Sequence, residues 1–376
     1  MKKVAAFILA LTMSLSLAAC GSKGADTPEA PPPSAPAATP EATKPADEAT
    51  SELLAGFDTN ADGLVLGFSN SYNGNSYRQK EEELFFNLAD QLKEMGVLKD
   101  YIVTESNSDN ATQASQIQSL VLKGVDVIIV DPGSTTALNS AIEEAWDAGV
   151  PCVIVNDGPV TTDKCYQINF DYKGAIMPAA QYIVDRLGGK GNVLISRGIA
   201  GVESDTNFYA GMREVLDKYP DIHIVAEVYG QWTGSIAQKE ISSVLPSLDQ
   251  VDAVLGEGGD GYGAVMAFQA ANRDIPLIIG GNRGNFMSWW AQAYKDSGYE
   301  TMSWTTSPAI AAASIFVAID VARGIEVPMS MSVDGYIITH DDMEANIDTY
   351  LNMEADDIAG ELYTYDWVKN TLYTQK

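Results

Sequence analysis

Short runs of apolar, often β-branched residues alternate with longer stretches of helical periodicity from residue 64 to about residue 323. Continuous apolar runs predict strands buried on both faces, because half-exposed strands alternate apolar and polar residues instead. Separated by helices, such strands indicate parallel sheets covered on both sides. The predicted strands are 64–68, 101–105, 126–131, 151–156, 166–170, 192–196, 222–228, 251–255, 276–280 and 301–305. The predicted helices are 76–95, 110–123, 135–148, 172–187, 206–218, 234–246, 261–272, 285–297 and 308–323.

This number of strand and helix units is too large for one ordinary open sheet. The region from about residue 60 to residue 376 is also longer than a typical single domain. We therefore predict an α/β fold with two lobes, each built on a doubly wound parallel sheet. Ligands of such sheets bind beyond the carboxyl ends of the strands. The residues that directly follow each strand are therefore the candidates for function.

The segments after the predicted strands share one chemical character. They combine side-chain amides, carboxylates and an arginine with the flat faces of Tyr and Trp. Trp232 stands on one of these loops, where its face could cover the C–H face of a sugar ring. Amides and carboxylates are hydrogen-bond partners of fixed geometry for hydroxyl groups. The segments are SNSYNGNSYR (69–78), Asp131-Pro132, Asn156-Asp157-Gly158, SRGIAGVESDTN (196–207), YGQWT (229–233), GEGGDG (256–261), GGNRGN (280–285) and TTSP (305–308).

The segment GEGGDG has the glycine spacing of a dinucleotide-binding loop, with Gly256, Gly258 and Gly261 between a strand and a helix. That loop should open the first unit of its domain, and an acidic residue should end the next strand. GEGGDG falls instead in the fourth unit of the second half, and Asn282 follows the next strand. We therefore predict no cofactor, and we take Asp260 as a contact for a ligand hydroxyl.

The N-terminus predicts export. Lys2 and Lys3 precede an apolar run, and Leu17-Ala18-Ala19 precedes Cys20, which resembles a lipobox. We expect residues 1–19 to be a signal peptide and Cys20 to be acylated, anchoring the protein to the outer face of the bacterial cell membrane. Cleavage of an ordinary secretory peptide nearby is the alternative. Residues 20–60 are rich in Pro and Ala and predict an extended tether.

Composition excludes several functions. A formal charge of −28 disfavours nucleic-acid binding, which needs clustered Lys and Arg. The two histidines, His223 and His340, are far apart, so neither a metal site nor a His-based catalytic set is predicted. Cys152 lies in an apolar run and predicts a buried thiol, with a disulfide to Cys165 as the alternative.

Carboxylates leave one enzymatic alternative open. Two carboxyl groups need only spatial proximity to act as a glycosidase pair. The candidate pairs are Asp131 with Asp157 and Asp157 with Asp260. Carboxylates at sheet ends also accept hydrogen bonds from sugar hydroxyls, so we expect a binding protein and not an enzyme.

A set of motifs in fixed order resembles the type I periplasmic sugar-binding proteins of ABC transporters, the ribose- and galactose-binding group. The motifs span roughly residues 62–335 and are GVDVIIVDP, AGVPCVIVND, RGIAGV, VLGEGGDGYGA, PLIIGGN and the Ser-Pro pair before the next helix. The resemblance implies two lobes joined by a hinge of three crossings, near Asp171, near Thr306 and within 328–338. It also implies an N-lobe of 62–170 plus 306–328 and a C-lobe of 171–305 plus 329–376.

The resemblance also implies a set of ligand-binding positions. This chain departs from the family at several of them: Asp157 replaces an arginine, the arginine after GIAG is absent, Asn282 stands in place of an aspartate, and Thr306 stands in place of an amide. Arg78 is the candidate to supply a guanidinium from another loop, and its removal is expected to leave the stability of the ligand-free protein nearly unchanged. The implied contacts are Asn73, Tyr77, Arg78, Asp131, Asn156, Asp157, Asn207, Trp232, Asp260, Asn282 and Thr306.

The expected function is reversible capture of a small sugar by hinge closure, followed by docking on the membrane subunits of an ABC permease. A monomer is expected. A sensor lipoprotein of the same fold is the first alternative; it would present a sugar, autoinducer or nucleoside to a kinase or chemoreceptor. An exported glycoside hydrolase is the second.

Overall fold

A computed structural model describes residues 52–156, 158–360 and 363–374. The predicted signal peptide, the predicted acylation site Cys20 and most of the predicted tether lie outside the described residues, as does Asp157. Within the described part of the chain, no helix combines the length and the apolar character that crossing a bilayer requires.

The first half of the chain alternates strands and helices as the apolar pattern predicts. Side chains fix several helix starts, because Asn75, Asp109 and Asp171 each accept a hydrogen bond from a backbone N–H in the first turn. The elements are β1 (Leu64–Asn70), α1 (Ser76–Glu94), β2 (Leu98–Glu105), α2 (Asn110–Leu122), β3 (Val127–Asp131), α3 (Asn139–Asp147), β4 (Cys152–Asn156) and β5 (Tyr166–Phe170).

The second half continues the alternation and ends in short elements that the apolar pattern does not predict. The central elements are α4 (Tyr172–Leu187), β6 (Lys190–Arg197), α5 (Glu203–Leu216), β7 (Asp221–Tyr229), α6 (Gly234–Val244), β8 (Ala253–Gly256), α7 (Gly261–Ala270), β9 (Leu277–Ile279), α8 (Gly284–Ser297) and β10 (Ser303–Thr305). The last are α9 (Ile310–Ala322), β11 (Ser330–Val333), β12 (Tyr336–Ile338), α10 (His340–Ala345), α11 (Ile347–Leu351) and α12 (Tyr365–Asn370).

Two separate parallel sheets define the two lobes. The first lobe has the strand order β11-β5-β4-β3-β1-β2, and the second has β7-β6-β8-β9. All the pairs in both sheets are parallel. Helix α9 is apolar around its whole circumference and is buried from Ile310 to Asp320, as expected of a helix enclosed in a core. The predicted pair of doubly wound lobes is confirmed.

The chain crosses between the lobes at the three predicted places. It leaves the first sheet after β5 at Asp171, returns near Thr306 between β10 and α9, and crosses again between β11 and β12. A fourth crossing was not predicted: the chain passes from α11, which packs on α8, to α12, which packs on α9.

Two of the implied lobe boundaries differ from the structure. Strand β11 pairs with β5 in the first sheet, although residues 329–376 were assigned to the second lobe. Phe57, within the predicted tether, is buried against Phe316 and Tyr365, with ring centroids 5.2 and 4.9 Å away. The first lobe therefore gains an apolar residue that precedes its first strand.

The thiols of Cys152 and Cys165 are both buried and unbonded, so the disulfide alternative is wrong. Burial raises the pKa of both thiols, so they remain protonated at neutral pH.

A polar cleft between the two lobes

A cleft of about 850 Å³ opens where the carboxyl ends of the two sheets face each other. Both lobes and the second crossing contribute to its lining. The segments that border it are 71–78, 132–135, 199–208, 257–259, 281–283 and 305–306, joined by Gly158, Trp232 and Ile358. The site therefore lies where the loops after the strands were predicted to converge.

Arg78 is the centre of a buried polar cluster on the first-lobe side of the cleft. Its side chain is 3% exposed, and its guanidinium forms an ion pair with the fully buried Asp131. Nη2 donates to Asn70 Oδ1 at 2.5 Å, and Nε donates to the backbone oxygen of Tyr72 at 3.1 Å. One cation thus binds the ends of β1 and β3 together at the edge of the cleft.

Tyr77 and Thr306 join the first lobe to the second crossing. Their side chains are hydrogen-bonded, and both border the cleft. Burial, reinforced by the charge of Glu81, raises the pKa of Tyr77. The phenol is therefore neutral and can both donate and accept hydrogen bonds.

The GEGGDG loop contributes two buried carboxyls on the second-lobe side. Burial raises the pKa of Glu257 to about 10, and the neighbouring Asp205 adds to the shift. Glu257 Oε2 accepts the backbone N–H of Gly198 at 2.8 Å. Its Oε1 atom has no hydrogen-bond partner within the described part of the chain, although Glu257 borders the cleft. At neutral pH Glu257 is therefore an uncharged carboxyl able to donate a hydrogen bond.

Asp260 lies deeper than Glu257. It is 1% exposed and does not border the cleft. Burial raises the pKa of Asp260 to about 7, while Ser196 and the charge of Arg283 oppose the shift. Asp260 therefore lies beneath the residues of the GEGGDG loop that line the cleft.

Trp232 covers the second-lobe floor of the cleft. A Cβ atom on Gly198 would lie 2.2 Å from Trp232 Cζ2, so only glycine allows the indole to lie flat on this backbone. Gln231 and Trp232 both have positive φ angles, 53° and 52°. Such strain in consecutive non-glycine residues is typical of binding sites, where the surrounding fold holds a side chain in a required position.

Comparison with known proteins identifies this architecture. A family model described as a periplasmic binding protein domain matches residues 66–326, which is more than half of the chain. The chain belongs to the periplasmic binding protein family.

Individual members of the family are similar over different lengths. The xylitol-binding protein of Mycolicibacterium smegmatis is 36% identical over 46% of this chain and 51% of its own length. The ribose import binding protein RbsB of Bacillus subtilis is 25% identical over 48% of this chain and 58% of its own. This chain therefore spans only slightly more than half the length of these curated relatives.

A solved structure covers much more of the chain. The ABC transporter solute binding protein from Thermobispora bispora is 31% identical, has a TM-score of 0.73, and is matched over 82% of this chain and 94% of its own. The resemblance to type I periplasmic binding proteins is confirmed, and so is the fold class.

Asn282 lies at the end of β9 in this periplasmic binding protein and is 1% exposed. Its Nδ2 donates to the backbone oxygen of Tyr336 at 3.2 Å, and its Oδ1 accepts from Ser303 Oγ. Asn282 borders the cleft and also joins the third crossing to the second lobe.

The remaining predicted contacts lie at the margin of the cleft or outside the described part. Asn73 donates to Glu82 and does not border the cleft. Asn207 does not border it either, whereas its neighbour Thr206 does. The backbone of Asn156 ends β4, and Asp157 lies outside the described residues.

Sequence reasoning missed two charged residues that border this periplasmic binding protein's cleft, Glu257 and Arg283. Glu257 stands inside the quoted GEGGDG motif, and its position directly after β8 was the available signal. Arg283 lies in the loop after β9, and its charge faces Asp356 and Asp260. Arg197, at the end of β6, was also missed; it does not border the cleft and pairs with the buried Asp205 at 2.7 Å.

Proposed function

We propose that this protein captures a small, uncharged polyhydroxylated ligand, a monosaccharide or a polyol, for an ABC importer. The proposal rests on one observation: around the cleft, two arginines are each paired with a buried aspartate, and a buried glutamate is neutral. Arg78 faces Asp131, Arg197 faces Asp205, and Glu257 is uncharged at neutral pH. A ligand carboxylate would have to compete with Asp131 and Asp205 for the guanidinium groups of Arg78 and Arg197, whereas hydroxyl groups would find donors and acceptors. Arg283 and Glu203, which also border the cleft, have opposite formal charges.

The aromatic and polar surfaces of the cleft suit a sugar ring or a polyol chain. Trp232 offers an apolar face, while Glu257, Thr306 and Tyr77 offer hydrogen-bonding groups around it. Relatives named for xylitol binding and ribose import support the same ligand class. Specificity would follow from desolvation, because a wrong epimer leaves buried polar groups unpaired.

Closure of the two lobes would bury the ligand from both sides. Acylation of Cys20 and the Pro-rich segment would hold the closed protein near its permease. These two steps are part of the proposal, and each has a separate test. Small-angle scattering with and without ligand reports closure, and release from membranes by Cys20→Ala reports the lipid anchor.

A thermal-shift screen followed by calorimetry tests the ligand class. The panel holds xylitol, ribose and xylose, the matched carboxylates xylonate and ribonate, and representative amino acids and nucleosides. We expect stabilisation by a neutral carbohydrate or polyol and none by its carboxylate. Preference for a carboxylate, an amino acid or a nucleoside would contradict the proposal. Incubation with oligosaccharides and measurement of new reducing ends separates binding from hydrolysis.

The role in import has its own test. Deletion of the gene should slow uptake of the radiolabelled ligand identified by the screen. Loss of a transcriptional or chemotactic response with normal uptake would favour the sensor alternative.

A further inference from the structure

Residues 352–360, here called the C-terminal strap, form the fourth connection between the lobes. The strap begins after α11 in the second lobe and leads toward α12 on the first lobe. It lies beyond residues 66–326, the region that the family model matches.

The strap supplies hydrogen-bond partners to the start of α8. The backbone N–H groups of Gly284 and Asn285 donate to the carbonyl oxygens of Asp357 and Ala355, at 2.8 and 3.1 Å. The first N–H groups of a helix have no partner within the helix, so a neighbouring segment that accepts from them is firmly held. Ala359 N–H donates in the other direction, to the backbone oxygen of Asn282 at 2.8 Å.

A glycine makes this close approach possible. A Cβ atom on Gly284 would lie 1.8 Å from the backbone oxygen of Glu354. Any other residue at position 284 would push the strap away from α8. The sequence of α8 is therefore adapted to the strap at its first residue.

Both ends of the strap are anchored by buried aromatic residues. On the second lobe, Tyr350 is 8% exposed and packs in the core that contains α8. On the first lobe, Tyr365 donates its hydroxyl to the buried Asp320 at 3.2 Å, and Tyr363 stacks on Trp367 with ring centroids 4.2 Å apart. The strap is fixed to both lobes and lies between these anchors.

One side chain of the strap enters the cleft. Ile358 borders the cavity, and its backbone pairs with that of Arg283 in an antiparallel bridge. The adjacent Asp357 reaches the first lobe, where its carboxylate lies 3.4 Å from Lys80 Nζ on α1. Ile358 is thus an apolar residue of the lining, held beside Arg283 by the strap.

We propose that the C-terminal strap is one wall of the ligand site and that Ile358 sets the length of ligand that the site accepts. This inference rests on the proposed function, because it names the size class of the same ligand. An apolar side chain held in the lining by the strap offers no hydrogen bond to a further sugar unit. The site therefore selects a single sugar ring or a short polyol over a disaccharide.

Substitution of Ile358 tests the size limit. The probes are xylitol, ribose and xylose as short ligands and maltose and sucrose as long ones, each measured by calorimetry. We expect Ile358→Trp to weaken binding of the best short ligand at least tenfold, and Ile358→Ala to strengthen binding of a disaccharide at least tenfold. Ile325→Ala, the same change at an exposed turn after α9, should alter neither. Equal dissociation constants for wild type, Ile358→Trp and Ile358→Ala would overturn the inference.

A second measurement needs no ligand and keeps the two proposals separable. Hydrogen exchange should show slow amides at Gly284 and Asn285 in the wild type and fast ones in Gly284→Ala. Gly234→Ala is the matched control, because Gly234 also begins a helix but has no atom nearer than 3.8 Å to an added Cβ. Fast exchange at both amides in the wild type would overturn the strap as a wall. Slow exchange without binding of any carbohydrate would support the wall and contradict the proposed function.

Discussion

Arg78 and Asp131 form an ion pair that is shut off from solvent, with side chains 3% and 0% exposed. The pair joins the first turn of α1 to the end of β3, and Arg78 borders the cleft, whereas Asp131 does not. Removal of one partner from a buried pair leaves an uncompensated charge, which costs about 3–5 kcal/mol.

Arg78→Ala should therefore lower the free energy of unfolding of the ligand-free protein by about 3–5 kcal/mol. Chemical denaturation at pH 7 measures this change. This prediction replaces the sequence-based expectation that ligand-free stability would be nearly unchanged, because that expectation did not include a buried partner for Arg78. Arg323→Ala is a suitable control, because Arg323 pairs with Asp62 at 2.5 Å in a more exposed place. Equal losses for the two variants would contradict the role of burial.

Glu257→Gln should make the protein more stable than the wild type at alkaline pH. Because burial raises the folded-state pKa of Glu257 to about 10, the folded protein holds this proton more tightly than the unfolded chain does. Stability from this group is thus present below the pKa of about 4.3 in the unfolded chain and falls as pH rises toward 10. The difference in melting temperature between the variants should widen from pH 5 to pH 9. Glu326→Gln changes an exposed residue and is the control: the difference in melting temperature between this variant and the wild type should stay constant over the same pH range.

Glu257 should also act in ligand binding as a donor. Gln keeps an N–H donor at this place and Leu does not, so Glu257→Leu should weaken binding at least tenfold while Glu257→Gln stays within a few-fold of the wild type. Calorimetry with the best ligand of the panel measures both. The ratio of wild-type to Glu257→Gln affinity should stay constant from pH 5.5 to 8.5, because the Glu257 carboxyl stays protonated throughout and the titration of Asp260 is common to both proteins. A ratio that falls steadily over this range would indicate a Glu257 carboxylate instead.

Trp232→Ala should weaken ligand binding about tenfold, since loss of an aromatic contact of about 1.5 kcal/mol corresponds to such a factor. Trp232→Phe should restore most of the affinity, because it keeps a flat apolar face. Trp289→Ala is the matched control: Trp289 packs on Phe286 and Tyr299 away from the cleft. That variant should lower thermal stability and leave the dissociation constant unchanged. An unchanged dissociation constant for Trp232→Ala, together with a raised one for Trp289→Ala, would place the ligand elsewhere.

The apolar periodicity predicted the two lobes because buried parallel strands have a sequence pattern of their own. The apolar pattern located the strand ends closely. The rule that ligands bind beyond strand ends then pointed to the loops and helix starts that hold Arg78, Trp232 and Asn282. It could not separate Glu257 from Asp260, since depth within a loop depends on the turn and not on the residue type. The strap was beyond prediction because residues 352–360 form no helix and have no periodic apolar pattern, and their position depends on backbone contacts with Gly284.

The packing of Phe57 against Tyr365, with ring centroids 4.9 Å apart, brings both ends of the described chain to one corner of the first lobe. A load, surface or fluorophore attached at either end is therefore attached to the first lobe. A measurement of the proposed lobe closure made from the ends alone would then report nothing about the second lobe. Distance reporters of its motion require one label at a chain end and the other on a second-lobe surface such as that near Glu240.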